Sequence, residues 1–443
     1  MYKPVYKVAI AKYKTPFHSV REAVELSDSF KNMPKNARVV IKPNIVAWNT
    51  AADFPKWGVI TTTRVIEDVC HILKEMGAAE ITLLEGISNL DPAVEDPSDD
   101  ASSKLGYNEL GKRYGLKVVN ALHRPFVRVD FDSFFLKFAE DAVNSDFIVN
   151  IPVLKTHAQC MVSLSLKNLK GLIDMPSRKK CHSIDPEHNL DYHIARLADK
   201  LPPMASVIDG IYTLERGPAF NGKAKRSDII AASSDVISAD KAGAEILGHG
   251  GKSDHIRIAA RNHGRPEDLS DIEIIGEKIE DVTEYHVADF EYTPDGKMPA
   301  PLTKAGIKGI SYPKYDLTLC TGCSYINGLI QTSMIMAHLG KSFNNIEMLT
   351  GKICQASTGN EKTILFGNCI IKANKNNSNI KEAIEVKGCP PQAEDIGAGM
   401  AAAGIPIDTS IFSNAHLGTS LMLAGYKDKP EFSEDFFRIT RIT

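Results

Sequence analysis

The chain is expected to be an α/β protein built from two parallel-sheet domains, each sheet carrying helices on both faces. Three observations predict this. Apolar strand-like stretches alternate with amphipathic helical ones along most of the 443 residues. An early strand–helix–strand unit needs a parallel pairing, because only a crossover helix joins its strands. The alternation lapses between about Gly276 and Tyr315 and then resumes, which divides the chain into expected domains at 1–290 and 310–443.

In order, ARVVIKPNIV reads as an apolar strand ending in a polar turn. TTTRVIEDVCHILKEMGA reads as a helix, with Val65, Ile66, Val69, Ile72, Leu73 and Met76 on one stripe and Gly77 as terminator. AEITLLEG is the next strand. Residues 90–103, LDPAVEDPSDDASS, are acidic and rich in turn formers and read as a surface loop. LGYNELGKRYG looks helical, and KVVNA, FIVNIPVL, ASVIDGIYTL and SDIIAAS look like strands, followed by a helix in DVISADKAGAEILG. FEYTPDGKMPAPLTKAGIKG has no sustained period and reads as a linker. Beyond it come strand YDLTLC, helix SYINGLIQTSMIMAHLG, strands IEMLTG, KTILFGNC and KEAIEVKGC, and helix QAEDIGAGMAAAG.

With 43% hydrophobic and 24% charged residues, the composition is that of a globular protein with sizeable cores. The net charge of −3 gives no global drive toward nucleic acid or membrane lipid, so any anion site must be local. The start, MYKPVYKVAIAKYK, lacks a secretory pattern, and no run approaches a membrane span; a cytoplasmic location is expected. Eight cysteines in such a chain point to metal or redox chemistry rather than disulfides.

Cys320, Cys323, Cys369 and Cys389 each follow a strand-like stretch, with helices behind CTGC and GCPP. They are expected at the carboxyl ends of neighbouring parallel strands, where open α/β sheets place ligands. Four thiolates suit one iron–sulfur cluster, and [4Fe–4S] is the expected cofactor. Helix N-termini there would favour thiolate and the anionic cluster, and Gly322 and Gly388 would let backbone approach it. Structural zinc and plain buried thiols are the alternatives. Cys354 could be a fifth or substitute ligand; Cys70 reads as core, and Cys160 and Cys181, near the basic segment, read as packing residues with a reactive thiol as the alternative.

A basic segment, 152–182, carries the other candidates. Lys155 and His157 follow a strand end, Lys167 and Asn168 lie in SLSLKNLKG, and Lys42 and Asn44 end an earlier strand. Converging, they would form a pocket for a carboxylate or phosphate, with Lys42, Asn44, Lys167 and Asn168 binding substrate and His157 or Lys155 handling protons. Thr61, Thr62 and Thr63 precede a helix, where they can cap it or meet an oxyanion. Arg178–Lys180 read as a solvated face with capping. His182, Asp185, His188, Asp191 and His193 could bind a divalent cation, but a surface helix with a loop explains them better.

The pieces VVIKPNIV, IPVLKTHAQCMVSLSLKNLKGL, VIDGIYTLERGPAFNG and SSDVISADKAGAEILG resemble the domain-of-unknown-function 362 family over roughly residues 6–250. That resemblance implies an α/β fold and frequent pairing with iron–sulfur chemistry. The dense ferredoxin-like cysteine runs of many members are absent. CTGC…C…GCPP is similar instead, over about 315–405, to the cluster-binding flavodoxin-like part of hydrogenase small subunits, which implies a single cluster.

Two functions follow. One is an iron–sulfur oxidoreductase of anaerobic type acting on a small anionic substrate, or a Lewis-acid lyase if one iron is open. The other is a non-catalytic electron-transfer or cluster-carrier subunit that docks a redox protein partner.

Overall fold

The computed structural model describes residues 6–89, 94–413 and 415–441. The chain forms two compact units: Met1–Arg178 with Asp191–Asp289 and Thr419–Thr443, and Lys179–Leu190 with Phe290–Gly418. The units interleave in sequence, because a short excursion after Arg178 belongs with the second and the C-terminal residues belong with the first. Within the first unit, Trp57 Nε1 donates to Ser433 O at 3.2 Å and Tyr212 OH donates to Glu431 O at 2.9 Å.

The first unit is centred on a mixed, mostly parallel sheet. Its order is Ile272–Gly276, Tyr6–Lys12, Lys223–Ser233, Met204–Glu215, Phe147–Asn150, Arg38–Lys42, Glu80–Glu85 and Leu116–Asn120. Lys223–Ser233 runs antiparallel to both neighbours, and the other pairings on this path are parallel. Val153–His157 pairs parallel with Met204–Glu215 and forms a hairpin with Met161–Ser163. FIVNIPVL is thus two strands; Pro152, which has no N–H to donate, falls between them.

Both faces of this sheet are covered. In Tyr6–Lys12, Ala9 and Ala11 enter a core shared with the helix Thr63–Glu75, while Val8 and Ile10 enter another shared with Val236–Ile246. Thr63–Glu75 buries Val65, Ile66, Val69, Cys70, Ile72 and Leu73. Met76 leaves the expected stripe: it is the C-cap and 43% exposed, and Gly77 follows at φ 80°. Part of the expected acidic loop is a helix, Ser98–Lys104; residues 90–93 of it lie outside the described residues.

The second unit holds a four-stranded, all-parallel sheet in the order Lys308–Ser311, Ser342–Leu349, Lys362–Phe366, Ala383–Val386. Met348, Ile364 and Phe366 pack against Ile330 and Met334 of the helix Thr321–Ala337 and Met400 of the helix Ala393–Ala403. Leu349 and Leu365 face the other way, onto Ile370. The strand order is sequential, without the reversal that marks a flavodoxin-like sheet. The expected strand YDLTLC is absent. Pro313 breaks the chain after Lys308–Ser311, and Asp316 Oδ1 accepts from Thr318 N at 2.7 Å to make a turn.

Candidate functional site

Parallel strands share one carboxyl edge, and the cysteine loops of the second unit leave from it. Cys320 is the N-cap of Thr321–Ala337, and Cys323 lies in that helix's first turn. Cys369 lies in the first turn of Asn368–Ala373, just after the strand Lys362–Phe366. Cys389 follows Ala383–Val386 in a turn closed by a bridge between Gly388 and Pro391. Asn368 ties two of the loops: its Oδ1 accepts from Gly388 N and its N donates to Gly388 O, both at 2.9 Å. A Cβ on Gly367, at φ 102°, would stand 3.8 Å from Cys323 Sγ. A Cβ on Gly322 would stand 3.2 Å from Pro390 Cγ. The absent side chain at Gly322 lets the Pro390 ring approach the CTGC loop, and at Gly367 the positive φ rather than the spacing calls for glycine.

The thiols are electrostatic neighbours. Cys320 is drawn down to about 5, first because the Cys323 thiol donates to it and then by the charges of Lys352 and Lys179. Cys323 is pushed up by the same contact, by burial, and by the sulfurs of Cys320, Cys389 and Cys369. Cys369 and Cys389 are exposed; Cys320 and Cys323 are half-buried. Among the described residues, no three of these sulfurs lie within 4.8 Å of one another. The excursion Lys179–Leu190 supports this edge: Lys352 Nζ donates to His182 O, and His182 Nδ1 meets Leu317 O at 2.8 Å. Cys354 stands apart. Burial pushes its thiol up to about 11, its charged neighbours are Asp316 and Glu347, and it packs beside Leu349 and Ile370.

In the first unit the basic residues converge, but in a buried network. Lys42 Nζ donates to Glu85 Oε2 at 2.7 Å, Pro43 O at 2.6 Å and Asn168 Oδ1 at 3.3 Å. Lys155 Nζ donates to Asn44 Oδ1 at 2.7 Å, Val59 O at 2.9 Å and Pro218 O at 3.1 Å. Asn44 Nδ2 donates to Asn168 Oδ1 at 2.8 Å, joining the two lysines. Both lysines are fully buried, and all three donors of each ammonium are engaged within the protein. Burial lowers both, and the charges of Lys167 and Lys42 lower Lys155 further. His157 Nδ1 accepts from Gln159 N at 3.1 Å and Cys160 N at 3.4 Å, so its ring orients on the hairpin turn and leaves the proton to Nε2. Glu85 belongs to this network but stands 43 residues from Lys42, and no local pattern announces it.

Neighbouring expectations resolve similarly. Asp209 occupies the helix end offered to an oxyanion: Thr62 N donates to its Oδ2 at 2.7 Å. Thr61 Oγ1 donates to Ile151 O and Thr63 Oγ1 to Leu105 O. Arg178 is buried rather than solvated, donating to Ile173 O and Gly171 O.

A third group has the donors to hold a single metal ion. One ligand atom each of Cys160, Asp191 and His255 lies within 4.8 Å of the others, and all three residues are buried. Of the five residues flagged around His182, only Asp191 enters this group. His188 pairs at the surface with Asp185 at 2.8 Å, and His193 packs its ring 4.6 Å from that of Phe134. Cys160 is buried as a packing residue would be, and His255 carries no sequence signal, being one buried histidine on a helix far from its partners.

Residues 39–245 match the family described as a domain of unknown function, DUF362. The match contains Lys42, Lys155, His157, Cys160 and Asp191 and stops short of His255 and the four edge cysteines. A thylakoid-associated protein of Synechocystis sp. is 27% identical over 233 residues, covering 52% of this chain and 69% of that protein. A crystal structure of a Thermotoga maritima protein overlaps at a TM-score of 0.32 with 12% identity, covering 54% of this chain and 60% of that one, which is less than two thirds of its length. Among the described residues, no helix is long and apolar enough to cross a membrane.

Proposed function

We propose that this is an iron–sulfur protein binding one [4Fe–4S] cluster through Cys320, Cys323, Cys369 and Cys389, and that it works as an oxidoreductase. The observation that carries the reading is the arrival of four thiols, on three loops, at one strand edge of the second unit. Two further features support it. Gly322 gives the Pro390 ring room to pack the GCPP loop against the CTGC loop. Lys352 and Lys179 supply positive charge to an anionic centre.

When bound, the cluster supplies single-electron transfer; four cysteine ligands leave no iron open for Lewis-acid work. Cys369 and Cys389 are exposed, which supports approach of a redox partner to that edge. This also keeps the carrier-subunit reading alive. For an anionic substrate, the support is the gathering of cations in one place: burial lowers Lys155 first, and the charges of Lys167 and Lys42 lower it further. A carboxylate or phosphate near Lys167 would relieve it, with Asn44 and Asn168 holding the lysines in place and His157 as the nearby proton carrier.

The test is anaerobic purification of the full chain with iron, zinc and acid-labile sulfide analysis and electron paramagnetic resonance after reduction. About four irons and four sulfides per chain are expected, and Cys369→Ser should lower both. Zinc without labile sulfide, or iron content unchanged by Cys369→Ser, would sink the reading.

A further inference from the structure

We propose that Cys160, Asp191 and His255 form a resident structural site for one borderline divalent cation, Zn²⁺ or Fe²⁺, separate from the edge cysteines. The donor set decides the class. A thiolate with an imidazole and a carboxylate suits Zn²⁺ or Fe²⁺, whereas Ca²⁺ and Mg²⁺ take all-oxygen shells. The spacing agrees: bonds of about 2.0–2.3 Å need ligand atoms roughly 3.3–3.8 Å apart, and these lie within 4.8 Å before any ion draws them in.

The hydrogen bonding points the same way. His255 Nδ1 faces Asp191 Oδ1 at 3.2 Å and Ser253 Oγ at 3.1 Å. Ser253 Oγ in turn donates to Cys160 O at 3.0 Å, which draws the cysteine backbone to the same spot. Yet His255 Nε2 is buried without any hydrogen-bond partner. An imidazole placed only to satisfy core polar groups would use both nitrogens. Here Nδ1 meets the Asp191 carboxylate and Ser253 while Nε2 is left unpaired, so hydrogen bonds within the fold do not account for the whole ring.

Burial of all three residues shuts the site off from substrate, which assigns the ion a structural role; the fourth position that three protein ligands leave falls to a trapped water or a neighbouring donor. Its ligands come from a hairpin turn and from the starts of Leu190–Arg196 and Asp254–Asn262. A bound ion would fasten these distant segments. It would also hold the turn whose N–H groups orient His157.

The full chain, freed of metal by chelation and titrated anaerobically with Zn²⁺ or Co²⁺, tests this. One tight equivalent is expected at this site, with a thiolate-to-cobalt charge-transfer band and a thermal midpoint raised by Zn²⁺. Asp191→Asn and His255→Gln should weaken binding at least tenfold and shrink the midpoint shift. A Cys320→Ser/Cys369→Ser chain should still bind that equivalent. Should Cys160→Ser fold poorly, Asp191→Asn, nearly identical in shape, still decides. Binding and midpoint shift unchanged in Asp191→Asn and His255→Gln, or a tight equivalent lost only with Cys320 and Cys369, would overturn the proposal. So would a folded wild-type chain that takes up no ion.

Discussion

Lys42 shows how far one residue can be read. Its place at the end of an apolar strand is visible in the sequence, and so is its charge. What that charge meets is not visible: Glu85 arrives from another strand and takes the ammonium at 2.7 Å with both side chains buried. Replacing Lys42 by Met should therefore cost about 3–5 kcal/mol, because Glu85 would be left buried and uncompensated. Replacing Glu85 by Met as well should recover part of the loss, and urea denaturation of both singles and the double measures the coupling. A Lys42→Met variant losing under about 1 kcal/mol would show that the pair does not act as a buried unit. The cysteines read more easily. CxxC is local, and Gly-Cys-Pro-Pro carries its own turn chemistry, though Cys320 follows a turn rather than the expected strand.

At the scale of elements, the helix Thr63–Glu75 was legible from its stripe, its threonine cap and its terminal glycine. Its N-terminus was read as an anion site, and an internal anion fills it. Burial pushes the Asp209 carboxyl up to about 6, the N–H groups of Thr62 and Ile211 pulling the other way. In the unfolded chain an aspartate titrates near about 3.9. Between these values the folded state holds the proton and the unfolded state has lost it, so stability falls as pH rises. The contribution is complete below about pH 4 and gone above about pH 6, up to about 3 kcal/mol in all. Denaturant midpoints taken from pH 4 to pH 7 should show this downward component in the wild type. Asp209→Asn, which does not titrate, should flatten it; an unchanged slope would remove Asp209 as its source. Tyr315–Leu319 shows the opposite case. Its apolar alternation suggests a strand, but Pro313 and the Asp316 turn decide otherwise, since a turn side chain satisfies the backbone locally before any ladder can.

At the scale of the molecule, both units have apolar cores of their own, and both tryptophans, Trp48 and Trp57, belong to the core of the first. Loss of the proposed cluster through Cys369→Ser should lower the thermal midpoint of the second unit, since a ligand bound only to the folded state stabilises it. Far-ultraviolet circular dichroism should register that as an earlier, partial transition. Tryptophan fluorescence, which reports the first unit, should keep its midpoint. Equal shifts in both signals would mean that the units unfold as one. The α/β class and the order of most elements were legible from periodicity. The excursion Lys179–Leu190 and the return of the chain from Thr419 were not, because membership of a unit depends on which surfaces bury each other.

The sequence by itself determined the α/β class, the helix and strand periods and the four cysteines after strand-like stretches, since each depends on residues a few positions apart. Only the tertiary structure decided that the lysines expected to face a substrate are locked by Glu85, Asn44 and Asn168, and that Cys160 meets Asp191 and His255. Those encounters join residues as much as 126 positions apart. Burial, which sets whether a charge is hydrated, paired or available to a ligand, exists only once distant segments have packed.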